Sequence, residues 1–392
     1  MIKENFHEKI TLALSLLILN NYLFLSLNFS LLLLKINFIF FLIVIIVFYF
    51  KNIPENFYLK IFFLFIIFIA LGTPTSEWDA RSIWLFHAKR IFYDSSIFSI
   101  SDNYAAFSHN EYPSLAPAFA SSLAVLIGHW NEVFPKISFS LIFLPPLILT
   151  YVFLKNTQYI IFLSIVFFTI GKFMLNGWLD GLLAIYFGLS ALLMYHLMIS
   201  KDESYKNKSL LYYIAFCFFI SLTLLKDEGA ALLLILFITT FGIKIIKKEL
   251  KKDISKLLLL SIAFLPIILW KFFCYSKGIA SHHINMDLNI LSRFYDLDNY
   301  KTIAYFIFLN EKFIICSILF LLSFWANWDK EIFRFISIVI LIYIIVLFLV
   351  FISTPFDLYW QLDSTAARVV RTLSFSLAFF GLYNLNEKIK NF

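Results

Sequence analysis

Residues 112–128 read Tyr112-Pro113-Ser114-Leu115-Ala116-Pro117-Ala118-Phe119-Ala120-Ser121-Ser122-Leu123-Ala124-Val125-Leu126-Ile127-Gly128. The stretch is apolar enough to be taken for a membrane span. It also carries two prolines, at Pro113 and Pro117, and three serines, at Ser114, Ser121 and Ser122. Whether it crosses decides which side of a bilayer every later loop occupies.

The surroundings make a bilayer the right frame. Of the 392 residues, 61% are hydrophobic and 15% charged, and mean hydropathy is +0.86. A soluble domain carries about 45–50% apolar and about 25% charged residues and could not hide this much apolar surface. The composition therefore predicts an all-α, polytopic membrane protein, 1–392 being a single transmembrane domain with no soluble C-terminal domain. Thirteen apolar runs are candidate spans, near 10–27, 30–50, 58–72, 113–128, 133–154, 157–171, 181–199, 209–225, 229–246, 257–273, 302–325, 333–353 and 370–385.

Charge selects among them. Lys-rich short loops stay on the cytoplasmic side. If all thirteen runs cross and the N-terminus is inside, the run Lys247-Lys248-Glu249-Leu250-Lys251-Lys252 faces outward. If 113–128 does not cross, every basic cluster falls inside: Lys3/Lys9, Lys51/Lys60, Lys201/Lys206/Lys208, Lys244 to Lys256, Lys330/Arg334 and Lys388/Lys390. The inner side then holds 18 Lys and Arg against 10 Asp and Glu, and the outer side 12 against 14, the expected bias. The reading is twelve spanning helices, both ends cytoplasmic, and one outer-face helix near 113–128 that lies in the interface or re-enters. The net charge of +7 is thereby explained by topology, and nucleic-acid binding is not indicated. The N-terminus reads as an uncleaved first helix. Cys217, Cys274 and Cys316 show neither metal spacing nor an evident pairing.

This topology gathers the unusual residues on the outer face. The first large extracytoplasmic loop, 73–131, opens with Glu77-Trp78-Asp79-Ala80-Arg81 and continues as an amphipathic pattern over 80–93 that suits a membrane surface. Asp79 stands near the N-cap position of that helix, where a carboxylate is stabilised. Glu77, Asp79 and Arg81 at a lipid boundary suit a base that meets an amphiphilic substrate, although a cap and a solvated neighbour would look the same. The loop closes with His109-Asn110-Glu111-Tyr112-Pro113. Asp180 opens a later helix, where capping is an equal explanation. Lys226-Asp227-Glu228-Gly229 puts three charges in a helical hairpin that needs only a turn residue or two, and Lys226 could hold a phosphate. His282-His283, with Asp287, could contact a metal, but the spacing matches no specific pattern. Tyr359 and Trp360 suit interfacial anchors. Arg368 and Arg371, three apart, enter the last span from outside, against the positive-inside tendency, and an arginine fork there suits a phosphate or pyrophosphate.

As a set these motifs resemble the GT-C superfamily of polytopic glycosyltransferases that use polyprenyl-phosphate-linked sugars. The resemblance runs over about 57–372 and rests on Glu77-Trp78-Asp79, on Glu111-Tyr112-Pro113-Ser114-Leu115, on Asp180 and on Lys226-Asp227-Glu228-Gly229. The stretch from Thr354-Pro355 to Arg368 is similar to bacterial members of the protein-mannosyltransferase and aminoarabinose-transferase branch. This chain departs from the family in placing the acidic loop after the third helix rather than the first. The resemblance implies an inverting transferase in a bacterial inner membrane with its site on the extracytoplasmic face. Asp79 would be the general base, with Glu77 beside it. Arg368 would bind the donor phosphate with Lys226 or Arg371. Arg81, His109, Glu111, Tyr112, Asp180, Glu228 and Trp360 would contact substrate. The partners would be a polyprenyl-phosphate-linked sugar and a glycan, lipid or protein acceptor. No cofactor is demanded, and a divalent metal is left open.

Two other classes compete. A lipid-linked sugar flippase or transporter needs charges deep within helices and preferably an inverted repeat. Only Lys35, Glu311 and Lys312 lie within runs, and no repeat is evident. An O-antigen ligase or polymerase usually places its large outer loop in the C-terminal half, whereas the largest loop here is 73–131. The topology is testable directly: a reporter at residue 250 should read cytoplasmic and one at residue 100 the opposite side. Both on one side would overturn the non-spanning assignment of 113–128.

Overall fold

In a computed structural model of the chain, residues 5–51, 57–154, 157–200, 208–279, 293–326 and 328–390 are described, with backbone alone at 157 and 386–390. The loop positions His282, His283 and Asp287, and Lys201 and Lys206, lie outside them. All regular structure among the described residues is helical. Among the described residues nine helices are long and apolar enough to cross a membrane, or ten if one bent pair counts as a single span.

In chain order the α-helices are α1 (Phe6–Ser26), α2 (Leu31–Phe50), α3 (Phe57–Gly72), α4 (Leu85–Asp94), α5 (Leu115–Ile127), α6 (Phe134–Ile142) and α7 (Leu144–Phe153). Next come α8 (Thr157–Leu175), α9 (Asp180–Met194), α10 (Lys208–Leu225), α11 (Asp227–Ile246), α12 (Leu250–Ser261) and α13 (Leu265–Ser276). The last are α14 (Leu297–Phe308), α15 (Glu311–Ala326), α16 (Lys330–Ile352) and α17 (Leu358–Lys390). The pair α6–α7 forms one span, Phe134–Phe153, and Leu250–Ser276 joins α12 and α13.

The helix over 115–127 explains its own shortness. Its 13 residues reach about 20 Å, short of a hydrocarbon core about 30 Å thick. It does not lie on a lipid surface either. Leu115 through Ser122 are all buried, and α5 packs against α1, α2, α4 and α6. Ala116, Ala118, Ala120, Ser121 and Ser122 let these helices approach closely, as small residues do in membrane bundles. Phe119 fills the remaining space between Phe38 and Phe41 of α2, with ring centroids 5.1 Å from each.

Two further departures from the run-by-run reading have local causes. The run 302–325 is two helices, bent by 69° between Phe308 and Glu311, where Asn310, Glu311 and Lys312 interrupt the apolar pattern. The run 58–72 forms a helix of 16 residues, shorter than the other spans. The long α17 is central to the second half and packs against α8, α9 and α15.

Gly229 sets how the hairpin between α10 and α11 closes. A Cβ built at this position would lie 1.8 Å from the Leu222 carbonyl oxygen. That contact is with backbone, so a side chain cannot move aside to relieve it. Gly229→Ala should therefore lower thermal stability by about 2–3 kcal/mol or more, the upper range for overpacking. Gly242→Ala on the same helix meets nothing within 4 Å and should be neutral or slightly stabilising. Equal melting temperatures for the two purified variants would refute the close approach.

Candidate functional site

Three separate elements deliver carboxylates to Arg368 and Lys226. The first is the start of the loop. Asp79 has helical backbone geometry and makes no capping hydrogen bond. Its carboxylate instead accepts from the Arg368 guanidinium of α17. A charge-assisted contact of this kind outweighs a cap on an exposed turn. The expected N-cap role is thus replaced. The next residues, Ala80–Trp84, wind as a π-helical turn, a departure from regular helix often found at functional sites.

The second element is α9. Asp180, in its first turn, accepts from the same guanidinium nitrogen of Arg368 at 3.0 Å, and its other oxygen lies 3.3 Å from Lys226 Nζ. The third is the hairpin into α11, where Lys226 also pairs with Glu228 at 2.8 Å. Charges therefore alternate along Asp79, Arg368, Asp180, Lys226 and Glu228. Arg368, Asp180 and Lys226 are largely withdrawn from solvent, with side-chain exposures of 18%, 7% and 8%. Burial by itself would lower the Lys226 ammonium's pKa, but Asp180 and Glu228 hold it above the ordinary lysine value. The Arg368 guanidinium also sits over the Trp178 ring, 4.5 Å from its centroid.

Backbone packing holds the elements in place. Gly177 takes a positive φ of 84°, and a Cβ there would come within 3.1 Å of Ala80, directly after Asp79. The buried Lys136 donates to the Thr73 carbonyl, fixing the exit of α3.

The far end of the loop forms a second cluster. His109, in the left-handed region at φ 54°, places Nδ1 3.3 Å from Glu111 Oε1 and stacks on Tyr112 with centroids 4.9 Å apart. Tyr112 stacks in turn on Trp84 at 5.5 Å. The Glu111 carbonyl accepts from Trp270 Nε1 at 2.9 Å and Lys271 Nζ at 3.0 Å, and Lys271 also pairs with Asp227 at 2.6 Å. Burial would raise the Glu111 carboxyl, but the His109 hydrogen bond and the His109 and Lys271 charges hold it below the usual carboxylate value.

The structure thus brings Asp79, Asp180, Lys226, Glu228 and Arg368 into one chain of charges, and His109, Glu111 and Tyr112 into a cluster joined to it through Asp227. Four other expected residues stand elsewhere. Glu77 pairs with Lys172 at 3.3 Å. Arg81 is exposed and makes no ion pair among the described residues. Arg371 donates to the Thr169 carbonyl at 3.1 Å and lies over the Phe173 ring, so it does not fork with Arg368 onto one anion. Trp360 is exposed in the first turn of α17, eight residues and about 12 Å of helix before Arg368. Trp178, Trp270, Lys172 and Lys271 were not singled out in the sequence. The two lysines lie near helix ends on the side that the charge count assigns to the outside, the same signal that marks Arg368.

Among the described residues no group of three or more His, Cys, Asp or Glu is placed to hold a metal ion. In comparisons with known protein families, curated proteins and solved structures, the chain finds no match.

His87 ties the loop behind this site. Asn110 donates to Asn103 Oδ1 and to the Tyr104 carbonyl, both at 3.1 Å, so its Oδ1 accepts from His87 Nε2 at 3.2 Å. Burial pushes the His87 imidazole down to about 4, against the opposing pull of Asn110. The unfolded chain protonates near 6.5 and the folded chain only near 4, so stability should fall as pH drops through that window. The loss is on the order of 3 kcal/mol. His87→Gln should flatten the melting temperature between pH 6.5 and pH 4 relative to the unsubstituted protein. Parallel profiles would show that His87 is not the group responsible.

Proposed function

We propose that the chain is an inverting membrane glycosyltransferase of GT-C type, taking a sugar from a polyprenyl-phosphate carrier at the extracytoplasmic face of a bacterial inner membrane. In this reading twelve helices span, the short α3 and the long α17 included. The observation that carries it is the sharing of Arg368 between Asp79 and Asp180. A cation able to bind phosphate and a carboxylate able to take a proton are held in contact, on different elements, beside a second buried cation.

The arrangement supports a coupled mechanism. The donor phosphate competes with Asp79 for the Arg368 guanidinium, whose planar fork suits phosphate oxygens. Its binding frees the Asp79 carboxylate next to the anomeric carbon. The acceptor oxygen attacks that carbon from the face opposite the phosphate. The new bond from oxygen to C1 forms as the bond from C1 to the phosphate oxygen breaks, and the acceptor proton passes to Asp79. The bond electrons leave with the lipid phosphate, whose growing charge Arg368 and Lys226 stabilise. Asp180 holds both cations in position. Glu77, paired with Lys172 and one turn residue removed, is the secondary candidate for base.

Asp79→Asn keeps the side chain's shape and can still accept a hydrogen bond from Arg368, so the fold should survive. Transfer from a lipid-linked donor at saturating substrate should fall by about 10²–10⁴-fold, the usual share of general-base catalysis. Glu77→Gln should lose less. Arg368→Ala should weaken donor use far more than Lys252→Ala on the inner side. A well-folded Asp79→Asn protein with undiminished turnover would defeat the assignment, and a larger loss at Glu77 would move the base role there.

A further inference from the structure

A cleft of about 790 Å³ opens beside the Glu111 cluster, within the ordinary range of roughly 300–1,000 Å³ for ligand sites. One wall is a single face of α11, formed by Asp227, Ala230, Ala231 and Leu234, spaced three, one and three residues apart. The other is α13, with Ile267, Ile268 and Lys271. Ala230 and Ala231 leave room where larger residues would fill it. Leu234 is 51% exposed and Ile268 59% exposed, so the cleft is open along its side rather than sealed. The polar residues gather toward one end of both helices. Asp227 begins α11, Lys271 lies in the second half of α13, and Glu111 stands between them. An apolar trough with a polar end has the shape of a site for an amphiphile rather than for a sugar or a nucleotide.

The polar end says which kind of head would bind. The Lys271 ammonium is held by Asp227 Oδ2 at 2.6 Å and by the Glu111 backbone carbonyl at 3.0 Å, while a Glu111 carboxylate oxygen lies 3.3 Å from His109 Nδ1. Asp227 Oδ1 is buried with no hydrogen-bond partner. A buried carboxylate oxygen left without a donor is costly, and a ligand O–H or N–H would satisfy it. A bare phosphate monoester would instead meet the Asp227 carboxylate and an ammonium that is already held twice. The Arg368 and Lys226 chain, on the other side of Asp227, instead holds, among the described residues, an unpartnered buried donor, Arg368 Nε.

We propose that this cleft binds a membrane-borne amphiphile through its chain, with a head group that donates hydrogen bonds from hydroxyls to Asp227 and Glu111. Resting on the transferase reading for this one step, the amphiphile is the acceptor: its chain lies between α11 and α13 and its hydroxyl is presented toward the Arg368 chain. Donor and acceptor are then sorted by charge, an anionic head to the cations and an uncharged hydroxylated head to the carboxylates, across the single residue Asp227.

Binding separates this from the catalytic reading, because it needs no donor and no turnover. The full-length protein in detergent is offered two probes with the same dioleoyl chains, glucosyl-diacylglycerol and phosphatidic acid, and the retained lipid is counted by native mass spectrometry. The glucolipid should be retained about tenfold better, the value of one satisfied buried acceptor. Leu234→Trp, which fills the trough, should abolish that retention, and Ile268→Trp does the same from the opposite wall if the first variant does not fold. Asp227→Asn frees Lys271 from its partner and should shift the preference toward phosphatidic acid. Equal or better retention of phosphatidic acid by the unsubstituted protein, or undiminished glucolipid retention in a folded trough-filling variant, would overturn the proposal. Loss of transfer in Asp79→Asn with the lipid preference intact, or the reverse, tells the two readings apart.

Discussion

One guanidinium ties three segments of the chain together. Arg368 reaches from α17 to Asp79 at the start of the long loop and to Asp180 at the head of α9. Removing one partner from a buried ion pair typically costs about 3–5 kcal/mol, because the other charge is left uncompensated. Arginine suits this place better than lysine would. Its delocalised charge is weakly hydrated, stacks on Trp178, and cannot be neutralised by losing a proton. The position of the loop, and so of everything between residues 73 and 131, depends on this contact and on the neighbouring hold of Lys136 on Thr73.

The same contact limits what the site can do at rest. From Asp79 to Glu228 the charges alternate, three negative and two positive, and the two cations are each engaged twice. Both contacts of Arg368 are made by Nη2, while its Nε is buried without a hydrogen-bond partner among the described residues, so the guanidinium keeps a donor for a further acceptor. Asp180 is fixed between both cations and is poorly placed to leave. Asp79 and Glu228, at the two ends of the chain, are each held by one cation, Asp79 by Arg368 and Glu228 by Lys226, so they are the carboxylates most easily released. In the proposed mechanism a base that is freed only when the leaving group is seated would be protected from acting early.

How much of this was legible in the sequence varies by element. The membrane class follows from composition, and the expectation that 113–128 does not span, read from Pro113, Pro117, the serines and the lysine clusters, is matched by a helix of only 13 residues there. That α5 is enclosed by protein rather than lying on lipid was not legible, since small residues serve both settings until the neighbours are known. Asp79, Asp180, Lys226, Glu228 and Arg368 were each distinguishable because a charge at a span end needs a reason. Which charges pair is a matter of tertiary distance: Asp79 and Arg368 are 289 residues apart. For the same reason the three-residue spacing of Arg368 and Arg371 misleads. Arg368 meets carboxylates and Trp178, whereas Arg371, one turn along, meets the Thr169 carbonyl and the Phe173 ring of α8. The break at Asn310 was visible as Glu311-Lys312 within an apolar run, and the π-helical turn after Asp79 left no sequence signal.

The loop's internal architecture explains why the two ends of one long segment can serve one place. Arg90 binds Asp102 through both guanidinium nitrogens at 2.9 Å, and Asn110 gathers His87, Asn103 and Tyr104. Trp84 then stacks on Tyr112, so residues near the loop's start and end lie face to face. The left-handed conformations at Asn103, Ala105 and His109 have a conformational cost, and such strain persists where the surroundings over-determine it. A closed loop of this kind delivers Asp79 from one end and Glu111 from the other to either side of Lys226-Asp227-Glu228. Gly229, pressed against the Leu222 carbonyl, keeps that turn from shifting. The three charges that are excessive for a hairpin tip are then accounted for. Lys226 and Glu228 complete the chain that begins at Asp79, and Asp227 faces the other way to Lys271. In the proposed reading, with both loop ends and the turn fixed, an exchange of partner at Arg368 is the step that would free Asp79.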